Sequence, residues 1–363
     1  MKTNLTTKSL SCALLGSSFL ILSASATAAT GTTPLTSTNV NFTVSGQVNR
    51  AMTFADNGTD SDTLFVDNTN SGSRVRIVGK TSLGSNASAG INIETQFEDN
   101  KGSALDIDGA NNNNVFTSRK RDLWLKGGWG KLSLGKGDGA ANNTSEADNS
   151  GTWVANNAGD FLHGGLSFAD KTGAKVIKMG KVFSDFDGFS RNNRIRYDLP
   201  TYGPIGVAVS KTGRGSEIGL SYNQPLGAGA KLTSRLGYVK ESKSDFKQLG
   251  LSVSYLMANG FNITGHYGKR DPDNTSVDPK GAYLKVGKKM GGAKNHMVSL
   301  GCHVVNDLAK LGDKAKRVNA SYVYLMPKRR IEIFGDIQQA KLERSAGDLE
   351  ALNTVSLGSR IKF

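Results

Sequence analysis

The sequence predicts an all-β fold, a transmembrane antiparallel β-barrel of about sixteen strands with short turns on one rim and longer loops on the other. Three observations lead there. Segments in which apolar and polar residues alternate recur from about residue 40 to the last residue. The connections between them alternate between short and long. The chain opens with an export leader, yet its mean hydropathy is −0.34, and no later run approaches the ~18 apolar residues of a spanning helix. A barrel strand needs only every second residue apolar, so a polar composition does not argue against it.

The leader comes first. Lys2 and Lys8 precede a run of apolar and small residues from about Ser9 to Leu22, followed by Ala24-Ser25-Ala26 and Ala26-Thr27-Ala28. This is the pattern of a signal peptide over residues 1–28, cut near 26–28, which leaves a single domain over 29–363. A retained anchor would need ~20 apolar residues, and this run is shorter and diluted with serine. Cys12 leaves with the leader and Cys302 stands alone, so the mature chain can form no internal disulfide. The net charge of +14 includes the two leader lysines and no leader acids, so the mature chain carries +12. A basic surface or a basic cavity is implied.

The strands follow. In VNFTVSGQVNRAMTF, Val40, Phe42, Val44, Gly46 and Val48 share one face and Asn41, Thr43, Ser45, Gln47 and Asn49 the other. SRVRIVGKT and GINIETQFE alternate in the same way and flank the short turn LGSNA, which makes them a hairpin. The rhythm continues through RDLWLKG, KLSLGK, RIRYDL, IGVAVSK, EIGLSYN, KLTSRLGY, QLGLSVSY, FNITGHYG, AYLKVGK, HMVSLGCHV, VNASYVYL and IEIFGDI. It ends on TVSLGSRIKF, whose Val355, Leu357, Ile361 and Phe363 fall on one face. That last stretch alone fits either a soluble sandwich or a lipid-facing strand. Short connections such as PTYGP, PLGAGA, MANG and MPKRR alternate with polar ones over 56–72, 100–114, 269–280, 305–316 and 340–353. One connection stands apart, since residues 138–190 hold no comparable alternating run other than KVIKMGKVF. A loop of that length in a compact fold is usually functional or disordered.

The middle of the chain carries a resemblance. SRKRDLWLKGGWGKLSLGK places Arg119, Leu123, Leu125, Gly127, Trp129, Gly130, Leu132, Leu134, Gly135 and Lys136 on a pattern of the Gram-negative general porins. RNNRIRYDLP resembles their sixth-strand motif through Asn193, Arg196, Tyr197, Asp198 and Pro200. The resemblance implies a sixteen-stranded trimeric pore in the bacterial outer membrane, with periplasmic turns, external loops, a third loop folded into the lumen, and diffusion of small hydrophilic solutes and ions. It also implies a row of wall arginines facing carboxylates on that third loop, and an aromatic C-terminal residue, here Phe363, that signals assembly. Asp122 and Trp124 depart from the pattern, and SGTWVANNAGDFLHGG stands where the enteric third-loop motif would be.

If apolar residues face outward, strand parity sends Arg74, Arg76, Arg194 and Arg196 inward. Arg119 shares the parity of Leu123 and Leu125 and reaches the lumen only across a bulge. These five and Arg191 are the candidate basic wall, and Asp138, Glu146, Asp148 and Asp160, within a constriction segment over 137–190, are the candidate loop acids. The plainer alternative pairs the arginines with Glu94 or Glu98 across the ladder. DIDGANNNN lacks the later ligands of a calcium loop, and His163, His266, His296 and His303 lie on different segments without metal spacing. No catalytic motif, cofactor or nucleic-acid partner is indicated. Outer-membrane lipid, permeating solutes and two further copies of the chain are the expected partners. Two other functions fit the residues less closely: an outer-membrane barrel that does not transport, such as an adhesin or hydrolase, and a secreted β-sandwich.

Overall fold

The computed structural model describes residues 40–109, 115–273, 275, 277–345 and 347–363; the expected leader and the end of DIDGANNNN lie outside them. The strands are β1 (Val40–Asp56), β2 (Ser61–Asp67), β3 (Arg74–Ser82), β4 (Ser88–Glu98), β5 (Val115–Gly127), β6 (Gly130–Gly137), β7 (Ser167–Ala169), β8 (Lys175–Lys178), β9 (Asn192–Asp198), β10 (Ile205–Thr212), β11 (Gly215–Gly227), β12 (Ala230–Glu241), β13 (Phe246–Leu256), β14 (Phe261–Pro272), β15 (Lys280–Met290), β16 (His296–Asn306), β17 (Lys314–Met326), β18 (Ile331–Glu343) and β19 (Leu352–Lys362). All but β7 and β8 form one antiparallel sheet, closed where β19 pairs with β1. β2 and β3 lie end to end along one edge of β1, so they make a single stave broken at residues 68–73. The barrel therefore has sixteen staves.

Alternation builds this wall. Along β1, Phe42, Val44, Val48, Met52 and Phe54 are exposed while Gln47, Asn49, Ala51, Thr53 and Ala55 are buried inside. An exposed apolar face repeated on every stave is a surface for lipid. Cys302 belongs to that outer face. At the seam the backbone N–H of Phe363 donates to the Gly46 carbonyl (3.0 Å) and Gly46 N–H donates back (2.9 Å). The Phe363 ring lies over Gly46, where an added Cβ would come within 2.5 Å of it.

The structure differs from the sequence reading at three places. SDTLFVD, expected within a polar loop, is β2, because Leu64 and Val66 turn inward to the apolar core while Phe65 turns out. On the rim of longer loops, β10–β11 and β12–β13 are joined by only 213–214 and 242–245, since those strands run further than their apolar cores suggest. KVIKMGKVF contributes only β8, which pairs with β7 in a small hairpin inside the long connection.

The core lies within the barrel. Val154, Leu162, Leu166, Phe168, Met179, Val182, Phe183 and Phe186 from the segment between β6 and β9 pack against inward Ala51, Ala55, Val66, Phe334, Leu342 and Leu352 of the wall. Each large side chain buried this way contributes about 1.5–3 kcal/mol. Room for the segment comes from glycine. Gly219, Gly237, Gly250, Gly268 and Gly281 are cross-strand neighbours on β11 to β15, and together they form a trough across five staves. A Cβ would meet the Ala140 carbonyl at 2.1 Å from Gly219, Thr144 at 2.0 Å from Gly237, Ser145 at 2.3 Å from Gly250, and Phe186 at 2.4 Å from Gly268.

Candidate functional site

Residues 138–191 walk around the inner wall and return. Outbound, the Ala140 N–H donates to Ser210 Oγ (2.9 Å), Ala147 N–H to Ser252 Oγ (2.9 Å), and Asn149 N–H to Ser254 Oγ (2.9 Å). Lys285, fully buried, pairs with Asp148 and donates to the Asn156 carbonyl (2.8 Å). Arg317 pairs with Asp160 (2.7 Å) and donates to the Asn157 carbonyl (2.6 Å). The far end of the loop reaches the break in the second stave, where Asn68 Nδ2 donates to the Val154 carbonyl (2.9 Å) and Phe161 N–H to Asn70 Oδ1 (2.8 Å). Inbound, Gln248 Nε2 donates to the Asp187 carbonyl (2.7 Å) and Phe189 N–H to Glu217 Oε1 (2.5 Å). The loop thus covers the wall from β10 round to β19.

One anchor has the residue types of a catalytic relay. His163 Nδ1 lies 3.0 Å from Asp160 Oδ1, and its Nε2 lies 2.9 Å from Ser356 Oγ. Burial holds the His163 pKa below its ordinary value, so the neutral imidazole donates to Asp160 and accepts from Ser356. Ser356 is 2% exposed and its Oγ also lies 2.9 Å from Thr53 Oγ1, so the relay ties loop to wall and presents no hydroxyl to a solute in the lumen. Two other histidines, on separate strands, come together under the loop: His266 and His303 face edge to face with ring centres 6.3 Å apart.

The rest of the wall, β3 to β6 and β9, is bare and basic. Glu94, fully buried, receives Arg119 (2.5 Å), Arg76 (2.5 Å) and Arg74 (3.7 Å), three cations on one carboxylate. Arg119 reaches it because β5 has a bulge where Glu94 faces Lys120 and Thr95 faces Ser118. Lys120 pairs with Asp138, Arg194 with Asp122 (2.7 Å), and Arg196 with Asp198 (2.7 Å). Arg196 also donates to the Gly139 carbonyl (2.6 Å), and Arg194 to the Asp138 carbonyl (3.0 Å), so the arginines cap the start of the loop.

Between loop and bare wall lies a cavity of about 530 Å³. Arg74, Arg119, Lys101 and Glu98 line one side, and Glu146, Asp185, Asp187 and Arg191 the other. It meets a second cavity of about 490 Å³ at Asn142 and Asn143, and that one continues past Arg196 and Arg235. The loop acids crowd one another. Burial, and then the charge of Asp185, pushes the Glu146 carboxyl up to about 8. Burial, then Glu146 and Asp185, raises Asp187 well above the carboxylate range, and burial raises Asp185. Arg191, at φ 56°, is lowered by burial and by Arg119.

Of the loop acids expected from the sequence, Glu146 lines the cavity and Asp138 sits beside the wall, paired with Lys120. Asp148 and Asp160 turn away from the lumen instead, because Lys285 and Arg317 on the covered wall need buried partners. Arg74, Arg119 and Arg191 line the first cavity, Arg196 the second, and Arg194 and Arg196 a third groove with Asp138, while Arg76 joins the cluster on Glu94. Sequence reasoning missed Asp185 and Asp187, which lie on the returning limb. Their signal is an alternation, Phe183, Asp185, Asp187, Phe189, in which buried rings flank two acids.

A closed barrel with an apolar outer face, crossed by an inner loop that leaves a charged passage beside it, is a transmembrane pore. The chain belongs to the Gram-negative porin family, whose model matches residues 15–345, and it is accordingly an outer-membrane porin, a channel for passive diffusion. Among solved structures it is similar to the anion-selective porin of Comamonas acidovorans, at 18% identity and TM-score 0.64, covering 89% of this chain and 100% of that one. It is also similar to OmpT of Vibrio cholerae in its trimer form (12% identity, TM-score 0.57, 90% and 100% covered) and to Salmonella typhi OmpF in complex with daunomycin (12%, 0.57, 89% and 97%). Among curated proteins none matches this sequence.

Proposed function

We propose that this porin passes small hydrophilic solutes and ions with a weak preference for anions, that it assembles as a homotrimer, and that residues 1–28 are its export signal. The observation that carries the selectivity is an imbalance at the cavity. Arg74, Arg76 and Arg119 share the single carboxylate of Glu94, while burial, and for Glu146 and Asp187 also their neighbouring acids, holds Glu146, Asp185 and Asp187 toward the protonated form. Permeating ions feel charge only within about a Debye length, ~10 Å at 0.1 M salt, so these groups outweigh bases on the rims. OmpT's trimer form and the shared family support the assembly.

Planar-bilayer recordings under a potassium chloride gradient test the reading. The native reversal potential lies on the chloride side, shrinks as salt rises, and moves toward potassium in Arg74→Glu with Arg76→Glu. A native preference for potassium, or a potential that the double reversal leaves in place, sinks it. A trimer inserts as a unit, so each insertion raises the current by three channel conductances; single-channel steps throughout would exclude the trimer.

A further inference from the structure

The loop side of the cavity carries two aromatic rings that ion passage does not require. Phe161 is 41% exposed inside an aqueous lumen, and Trp153, half-buried, lines the same cavity. Leaving a phenyl ring wet forgoes part of the stabilisation its burial would give. The ring is nonetheless held in place. The Phe161 N–H donates to Asn70 Oδ1 (2.8 Å) and its carbonyl accepts from Thr69 Oγ1 (2.6 Å), which pins both ends of the residue to the turn between β2 and β3. The ring itself rests on Gly159, where a Cβ would come within 2.5 Å of it and 3.2 Å of Asp185 Oδ2. The same cavity is lined by Arg74 and Arg119, whose side chains stay 18% and 14% exposed.

A fixed apolar ledge and fixed cations lining one cavity suit one chemical class. We propose that the cavity is a binding subsite for arene carboxylates, the carboxylate meeting Arg74 and Arg119 and the flat ring lying against Phe161 and Trp153. The inference rests on the anion preference above and adds to it a reader of the anion's body. At about 530 Å³ the cavity falls within the ~300–1,000 Å³ of small-molecule sites and admits a benzoate with water around it. Chloride and acetate can use only the cationic side. An aromatic contact is worth about 0.5–1.5 kcal/mol beyond area, so benzoate should hold up to about tenfold more tightly than acetate.

Recordings at fixed ionic strength and pH compare benzoate, acetate and benzylammonium as blockers of the chloride current. The expected result is a saturable block by benzoate at concentrations about two- to tenfold below those at which acetate acts, and none by benzylammonium. Trp153→Ala with Phe161→Ala removes the difference between benzoate and acetate, and Phe161→Tyr, which keeps a ring, retains it. Heat-modifiable migration in detergent gels establishes that each variant is folded. Equal block by benzoate and acetate, equal block by benzylammonium, or an unchanged benzoate effect in the double alanine variant would overturn the subsite. Failure of this inference and of the selectivity reading are separable. A chloride-side reversal potential without benzoate discrimination sinks only the subsite, and benzoate block with a potassium-side potential sinks only the anion preference.

Discussion

The two halves of the inner wall use similar residues for opposite ends. From β10 to β19 the inward face carries glycines, hydroxyls, amides and the apolar side chains that pack on the loop, and two of its bases, Lys285 and Arg317, are fully buried against Asp148 and Asp160. From β3 to β6 and on β9 the inward bases outnumber their acids and border open water. A lysine on the covered half is therefore a fastener, and an arginine on the bare half is part of the field that a solute crosses. The charge of +14 on the chain says little about selectivity until each base is assigned to one half or the other.

The sharpest way to break the contrast is to unmake a fastener. Lys285→Met leaves Asp148 buried without its partner, which should cost about 3–5 kcal/mol and lower the denaturant midpoint of the detergent-folded barrel. Adding Asp148→Leu should recover most of that loss. A single variant as stable as the native protein would mean that the pair does not hold the loop.

A smaller effect comes from filling the trough. In Gly250→Leu the first carbon alone would lie 2.3 Å from Ser145 Oγ and 2.7 Å from the Phe186 carbonyl, so the loop must lift, at about 1–3 kcal/mol of overpacking. Single-channel conductance should fall, because the lifted loop moves toward the bare wall and narrows the passage. Gly265→Leu, on the neighbouring strand β14 with open space where its side chain would go, should leave conductance as it was. Equal conductance in all three proteins would mean that the loop does not set the width of the passage.

The smallest effect is a titration. The Glu146 carboxyl titrates near 8 in the folded protein against 4.5 when unperturbed, so the folded state holds the proton more tightly. The stability it lends is fully present below about pH 4.5 and is lost as pH rises through about 8. The same ionisation adds a negative charge opposite Arg74 and Arg119. The chloride preference should therefore weaken as pH passes about 8, and Glu146→Gln should flatten that dependence in reversal-potential measurements.

Much of the barrel was legible because alternation is a local property: a strand with Phe42, Val44 and Val48 on one face shows which way Gln47 and Asn49 must point. Parity even marked Arg119 as anomalous, and the bulge of β5 is the reason. The loop was not legible in the same way. Asp148 meets Lys285 and Asp160 meets Arg317 across more than a hundred residues, and no period in the sequence links such partners. The trough was half visible. Each of β11 to β15 carries its glycine in plain view, but only the register between strands turns five separate glycines into a row.

That row also fixes an order of events. The inner loop precedes β10 in the chain, while the trough is contributed by β11 to β15, all synthesised later, so the seat does not exist until those hairpins have aligned. Consecutive strands can zip together through neighbouring contacts, and the loop can dock only when that zipping is well advanced. During biogenesis the barrel must then pass through a stage in which its wall is largely built and its plug is still outside, a hole wider than the finished channel. For the cell that stage is a leak, and the speed with which the loop finds its glycines measures how long the leak lasts.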